Sequence, residues 1–279
     1  ALAVTGTLTL NDNITVDDSV DLSTNVASIT LAANSVIDVA AGGADQAISL
    51  ADTTGNFDLT LTGDSASALG VDGADVNALT LTGGVLTLNG DVESDGALDF
   101  TNVGSITLGG NVLITSQNSD SSNAAGNITF DSANIITGAS TLALDGDTVT
   151  LHQVGNGTTD PTQLTVTADT SLSLNADLTV DGAVDLSTNV ASITLAANSA
   201  IDASGGTNAA ISLAGTTGDF DLTLTGDSAS AVGLNAVDVD ALAVTGTLTL
   251  NDNITVDDSV DLSTNVASIT LAANSVIDV

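Results

Sequence analysis

The chain of 279 residues contains no lysine, arginine, cysteine, methionine, tryptophan or tyrosine, and it has one histidine and one proline. Each absence removes a class of chemistry. Without Lys or Arg there is no phosphate clamp or basic groove, so no nucleic-acid partner is expected. Schiff-base lysines, arginine fingers and P-loop lysines go with them. Without Cys there is no disulfide, thiolate nucleophile or zinc–thiolate site. No apolar run approaches the roughly 18 residues of a membrane-spanning helix, so no membrane insertion is expected. Residue 1 is Ala in mid-pattern, and no signal peptide is read there. Together these absences argue against an enzyme.

What is present pulls in two directions. There are 35 Asp and Glu residues and a net charge of -35, yet 43% of residues are hydrophobic and the mean hydropathy is +0.39. Acidic disordered chains fall below roughly 20% Leu, Ile, Val and Phe. This chain is rich in Leu, Val and Ile and should fold around a long core.

Repeats dominate its organisation. Residues 1–39 recur letter for letter as 241–279, a period of 240 residues. Within it, VDLSTNVASITLAANS at 20–35 returns at 184–199, and FDLTLTGDSASA at 57–68 returns at 220–231. A diverged copy, LTLNGDVESDGALDFTNVGSITLGGN, shadows the opening segment. The chain therefore reads as three units of about 80 residues, each of roughly four coils. Unit boundaries are expected at 1–78, 79–163 and 164–240, with 241–279 opening the next copy.

Apolar doublets such as Leu2/Val4, Leu8/Leu10, Ile14/Val16 and Val20/Leu22 alternate with polar residues, the signature of strands with one face inward. Asn, Asp, Gly and Ser fill the gaps as turn residues, and helix formers are scarce. Short strands, short turns and nested repeats predict an all-β fold, a parallel β-helix or β-solenoid, with short coils of about 18–20 residues. The crossover rule favours a right-handed winding. The hexads of 2–26 keep a left-handed triangular helix open, and a β-sandwich array is the rival, though sandwiches usually need a large aromatic anchor. Two polar stretches, 116–126 and 152–163, read as loops protruding from the shaft.

Strings such as GNITFDSANIITGASTLALDGDTVTLHQVG at 126–155 resemble the repeats of filamentous-haemagglutinin-like adhesins and other giant secreted bacterial β-solenoid proteins. The resemblance is one of style over nearly the whole chain, and no functional residue carries over. It implies a right-handed parallel β-helix, a secreted or cell-surface location, and a role in adhesion, matrix or filament formation.

The charge suggests partners. About fourteen coils at about 4.8 Å would make a rod of about 67 Å, with one charge per about 1.9 Å against about 1.7 Å for duplex DNA. Like-charged Asp residues stacked coil over coil would repel one another, so divalent cations, Ca2+ above all, are the expected counterions. No cofactor is required. The densest acidic spots supply the candidate metal ligands: Asp12, Asn13, Asp17 and Asp18, with their repeats Asp252, Asn253, Asp257 and Asp258. The competing reading is that these Asn and Asp residues only serve tight turns.

Other candidates are weaker. His152 lacks a partner or cleft in the sequence, and carboxylate pairs are too common to single out a glycosidase dyad. Thr-x-Thr at Thr7/Thr9, Thr60/Thr62, Thr80/Thr82, Thr165/Thr167 and Thr223/Thr225 is compatible with ice binding, but Thr is also the default outward strand residue. Asn13, Asn127, Asn156 and Asn253 are glycosylation acceptors by pattern. The leading reading is a self-assembling acidic fibre segment that binds divalent cations, with an adhesin stalk recognising a glycan or host ligand as the alternative.

Overall fold

The structure is a computed structural model and describes residues 2–42, 45–116, 126–263 and 265–279. The chain forms two compact units, Ala1–Gly138 and Ala139–Val279. In each, short strands separated by turns pair in parallel among the described residues, one coil on the next, and the coils form a β-solenoid.

In the first unit the strands fall into three columns. The first stacks Leu2–Ala3, Val20–Leu22, Ala47–Leu50, Ala68–Val71, the end of Ala74–Leu88, Val103–Leu108 and Ile136–Thr137. The second runs from Gly6–Leu10 through Val26–Leu31 and the starts of Thr53–Thr62 and Ala74–Leu88 to Val92–Ser94 and Val112–Thr115. The third joins Ile14–Thr15, Ser35–Asp38, the end of Thr53–Thr62, the middle of Ala74–Leu88, Leu98–Asp99 and Ile128–Thr129. The chain visits the three columns in turn, so each coil is three-sided.

The second unit repeats this plan. Its first column stacks Leu142, Leu164, Val184, Ile211, Val232, Leu248 and Ile269. Its second stacks Val149, Leu172, Ile193, Thr216, Val237, Ile254 and Ile277. Its third runs through Val154, Leu178, Ile201, Leu224 and Val244, and Leu222, Leu242 and Val260 stack in the same column.

The alternating doublets build the core. Val20/Leu22, Ile29/Leu31, Ile48/Leu50, Leu59/Leu61 and Leu79/Leu81 are all buried. Each buried aliphatic side chain contributes about 1.5–3 kcal/mol, and most of its column neighbours are aliphatic too. Phe100 and Phe130 stack one coil apart with ring centroids 4.9 Å apart. Where a hydroxyl falls in a column it is satisfied locally: buried Thr53 and Thr216 donate to the carbonyls of Ala51 and Ala214, at 2.9 and 3.0 Å.

Coil length varies more than the sequence pattern suggests. The coil from Val232 to its partner Leu248 is shorter than expected, whereas the coil from Ile106 to its partner Ile136 is far longer. The first coil, from Leu2 to Val20, matches the expectation, but later corners absorb extra chain, such as the 3-10 turn Ala40–Gly42. Each unit consequently holds about six coils, fewer than the expected fourteen in all.

The repeats have a defined geometry. The identical end segments pair identically: Leu2 with Val20 and Leu242 with Val260, Thr7 with Ser28 and Thr247 with Ser268, Ile14 with Ile37 and Ile254 with Ile277. The shorter repeat does not return to its own face. From Val184 to its counterpart Val260 the chain makes eleven strand steps, through Ile193, Ile201, Ile211, Thr216, Leu222, Val232, Val237, Leu242, Leu248 and Ile254. At three steps per coil that is three coils and two-thirds. Val184 therefore lies in the first column of its unit and Val260 in the third. In the first unit Val20 and its diverged counterpart Leu98 show the same offset, first column to third.

Candidate ion-contact surface

Outward residues form ladders that follow the strand register, and the carboxylates in them are spaced. Asp38 lies between Thr15 and Thr62, Asp99 between Thr80 and Thr129, Asp202 between Thr179 and Thr225, and Asp238 between Thr217 and Thr255. Asp185 lies between Thr165 and Ser212. The expected stacking of Asp on Asp does not occur in these ladders: each carboxylate has a hydroxyl residue on either side. That moves the nearest like charge on the ladder from about 4.8 Å to about 9.6 Å, close to the Debye length of about 10 Å at 0.1 M salt.

Among the described pairings one departs from this rule. Asp75 pairs directly with Glu93, beside an open recess of about 360 Å³ that Asp52, Asp72 and Asp91 also line. Partial burial, with the charges of Asp75 and Asp95, pushes the Glu93 carboxyl above its ordinary pKa. Asp72 accepts a bond from the Asn89 amide at 2.8 Å and Asp91 one from the Leu113 N–H at 2.7 Å. Sequence reasoning missed this cluster because its members come from three coils and meet only through the register.

The sequence-predicted ligands are placed differently. Asp12, Asn13, Asp17 and Asp18 are all exposed, as are Asp252, Asn253, Asp257 and Asp258. Asp12 and Asp252 accept from the N–H of the following Asn, each at 2.8 Å. The carbonyl oxygens of Asn13 and Asn253 accept from Val36 and Val276 on the next coil, each at 2.9 Å. Asp18 accepts from the Ser19 N–H at 2.8 Å. Among the described residues no three acidic or histidine side chains converge in a metal-binding group. Asp12, Asp18 and Asp252 thus serve their own turns, and Asn13 and Asn253 the next coil.

A recurrent corner does fix a carboxylate. Asp21 accepts from the N–H groups of Ser23 and Thr24, both at 3.0 Å, and from their hydroxyls at 3.1 and 2.6 Å. Asp185 receives the same four bonds from Ser187 and Thr188, at 2.9–3.1 Å. Asp261 accepts from the Ser263 N–H and hydroxyl at 3.0 and 3.1 Å, and Asp99 from the Thr101 N–H at 2.9 Å. The Thr24 hydroxyl first, then the Thr24 and Ser23 N–H groups, hold the Asp21 carboxyl far below its ordinary pKa. Partial burial pulls the Asp185 carboxyl upward, but the four bonds outweigh it and hold the group low.

A second corner exposes an aromatic ring. Opposite Val76 to Ala78 the strand Thr53–Thr62 carries one extra residue, and this bulge follows Gly55 at φ +145°, where a Cβ would meet the Leu31 carbonyl at 2.6 Å. Phe57 is left exposed beside Asp58, which exchanges two bonds with Asn34, at 3.0 and 3.1 Å. Phe220, Asp221 and Asn198 repeat the arrangement, with bonds at 3.0 and 3.1 Å.

Of the two expected protruding loops, only the second lies wholly within the described residues. Of 116–126, residues 117–125 lie outside the described residues; Gly126 donates to the Ser116 carbonyl at 2.6 Å. The stretch 152–163 is largely built into the coil. Val154 bridges Leu178, Asp160 is buried and accepts from Asn156 and Gly157 at 2.7 and 2.9 Å, and only 156–159 and 162–163 are exposed. His152 is half-buried at its edge. The four Asn acceptors are all exposed. Thr60/Thr62 stack on Thr80/Thr82, but the ladder then meets Asp99, and Thr165/Thr167 stack on Ala143/Asp145.

Compared with known proteins, the chain matches no family model, no curated protein and no solved structure.

Proposed function

We propose that this chain is a structural segment of a secreted bacterial extracellular filament, an acidic β-solenoid shaft that self-assembles and binds divalent cations at its surface. One observation carries this reading: both units consist of parallel columns whose inward positions are mostly aliphatic and whose outward positions are rich in Thr and Ser, with carboxylates such as Asp38, Asp99, Asp202 and Asp238 set between hydroxyls. Such a column continues indefinitely by adding coils. The style shared with filamentous-haemagglutinin-like repeats supports the extracellular location. The absence of Lys and Arg leaves trypsin-like proteases no cleavage site, and the lack of Cys, Met, Trp and Tyr leaves little to oxidise. Cations act as a mobile layer that lowers repulsion between coils and between shafts.

Filament imaging and thermal melting with calcium, then with a chelator, test the proposal. Long rods melting higher with calcium support it. Monomers indifferent to calcium refute self-assembly through this segment.

The Phe57 and Phe220 corners favour a second reading, an adhesin stalk that recognises a glycan. An exposed ring beside a fixed Asn–Asp pair offers a stacking face and hydrogen-bond partners to a neutral sugar. In that case Phe57→Ala with Phe220→Ala abolishes retardation in polysaccharide gels and leaves filaments unchanged.

A further inference from the structure

One turn of the second unit is built unlike the acidic corners. It is anchored at both ends: Thr179 donates to the Val154 carbonyl at 2.7 Å, Asp181 to that of Pro161 at 2.8 Å, and Thr162 to that of Ser140 at 2.9 Å. Gly155 and Gly157 both stand at φ +75°, a left-handed conformation that favours glycine. Between the anchors lie an Asn-Gly pair, Asn156–Gly157, and Asp160, which is 5% exposed. The Asn156 side-chain oxygen accepts from the N–H groups of Thr158 and Thr159, at 2.9 and 3.2 Å. The Gly157 N–H donates to the Asp160 carboxylate at 2.9 Å, and the same oxygen accepts from the Asn156 N–H at 2.7 Å. Asn156 itself is exposed, so water reaches its amide.

We propose that this turn promotes its own modification, converting Asn156 to aspartate and isoaspartate. Glycine leaves the main-chain nitrogen after Asn156 unobstructed by a side chain. The Gly157 nitrogen bonds to Asn156 Cγ and passes its proton to Asp160, which acts as general base. Negative charge developing on Oδ1 falls on the two N–H groups already aimed at it, the arrangement of an oxyanion hole. The Cγ–Nδ2 bond then breaks, Nδ2 takes the proton back from Asp160 and leaves as ammonia, and a succinimide ring remains. Water opens the ring at either carbonyl, giving aspartate or isoaspartate. The sum is amide plus water to acid plus ammonia, and water is the one co-reactant. The product places a new charge on an exposed turn and, as isoaspartate, adds a methylene to the main chain. The reaction does not depend on filament assembly, and the converted fraction records the age of the folded chain. The sequence's other Asn-Gly pair, Asn89–Gly90, is held differently: the Asn89 amide nitrogen donates to Asp72 at 2.8 Å.

Timed incubation of the full chain, folded and in concentrated urea, tests this, with digestion by an aspartate-specific protease and mass spectrometry reading both Asn-Gly pairs. Asn156 is expected to convert roughly 100-fold faster in the folded chain than in urea, while Asn89 gains nothing from folding. Equal or slower conversion of Asn156 in the folded chain, or an equal gain at both pairs, overturns the proposal. Asp160→Asn keeps an acceptor oxygen for the Asn156 and Gly157 N–H groups but removes the base. Its folded rate is expected to fall at least about tenfold, and an unchanged rate overturns the role of Asp160. The wild-type pH profile gives a second readout that needs no variant. Between about pH 6 and 8 the rate in urea should climb with hydroxide, whereas the folded rate should stay nearly flat because Asp160 takes the proton. Parallel profiles overturn it.

Discussion

Replacing Thr217 by Asp tests whether hydroxyl spacing keeps the acidic ladders stable. Thr217 is exposed and lies between Thr194 and Asp238 in one ladder. The substitution puts two carboxylates on adjacent coils, about 4.8 Å apart. In a medium of dielectric constant about 80 their repulsion is about 0.9 kcal/mol, and nearer 2 if the protein side halves the effective dielectric. Thr194→Asp on the same ladder is the control, because its neighbours are Ser173 and Thr217 and the nearest acid is two coils away. There the repulsion is about 0.4 kcal/mol before screening. Both variants lose the same β-branched methyl and hydroxyl, so their difference isolates the charge term. Urea unfolding in about 0.01 M salt should place Thr217→Asp roughly 0.5–1 kcal/mol below Thr194→Asp, and the gap should vanish near 1 M, where the Debye length is about 3 Å. Adding Asp238→Asn to Thr217→Asp should restore the control value. Equal stabilities at low salt, or a gap that survives high salt, would refute the reasoning.

Three further outcomes are expected. Phe130→Ala removes a buried ring stacked on Phe100 and should cost about 3–5 kcal/mol in chemical denaturation, whereas Phe130→Leu should lose less than half of that. Glu93→Gln should stabilise by about 0.5 kcal/mol at neutral pH and low salt, since it removes the directly stacked acid pair. The raised Glu93 pKa means that the folded state binds the proton more tightly, so its penalty appears as pH rises through the ordinary Glu range, and the gain from Gln should disappear below about pH 4. Asp185→Ala should cost about 1 kcal/mol by stripping acceptors from Ser187 and Thr188. Because the Asp185 pKa is lowered on folding, that contribution is complete above the ordinary Asp value of about 4 and is lost as pH falls through the folded value. Melting curves between neutral pH and pH 2 should converge for wild type and variant.

The core was legible because period-two alternation is a local property: Ile29/Leu31 and Leu79/Leu81 announce their inward face within a single short strand. Coil length was not, because it depends on how much chain each corner absorbs, and polar corner residues carry no period. The acidic surface follows a related logic. Asp12, Asn13 and Asp18 are close in sequence, but their oxygens accept from neighbouring N–H groups or from Val36 on the next coil. Asp75 and Glu93 are a whole coil apart along the chain yet adjacent in space, visible only once the register is known. The D-x-S-T corner was present in the repeated string VDLSTN, but turn chemistry alone did not show that all four donors converge on one carboxylate.

A surface of one sign cannot neutralise a carboxylate with a neighbouring cation, so distance and hydroxyl neighbours are the means left to it. Spacing sets a salt response opposite to that of ion-paired surfaces: added salt screens repulsion without breaking any attractive pair, so coil stacking strengthens as ionic strength rises.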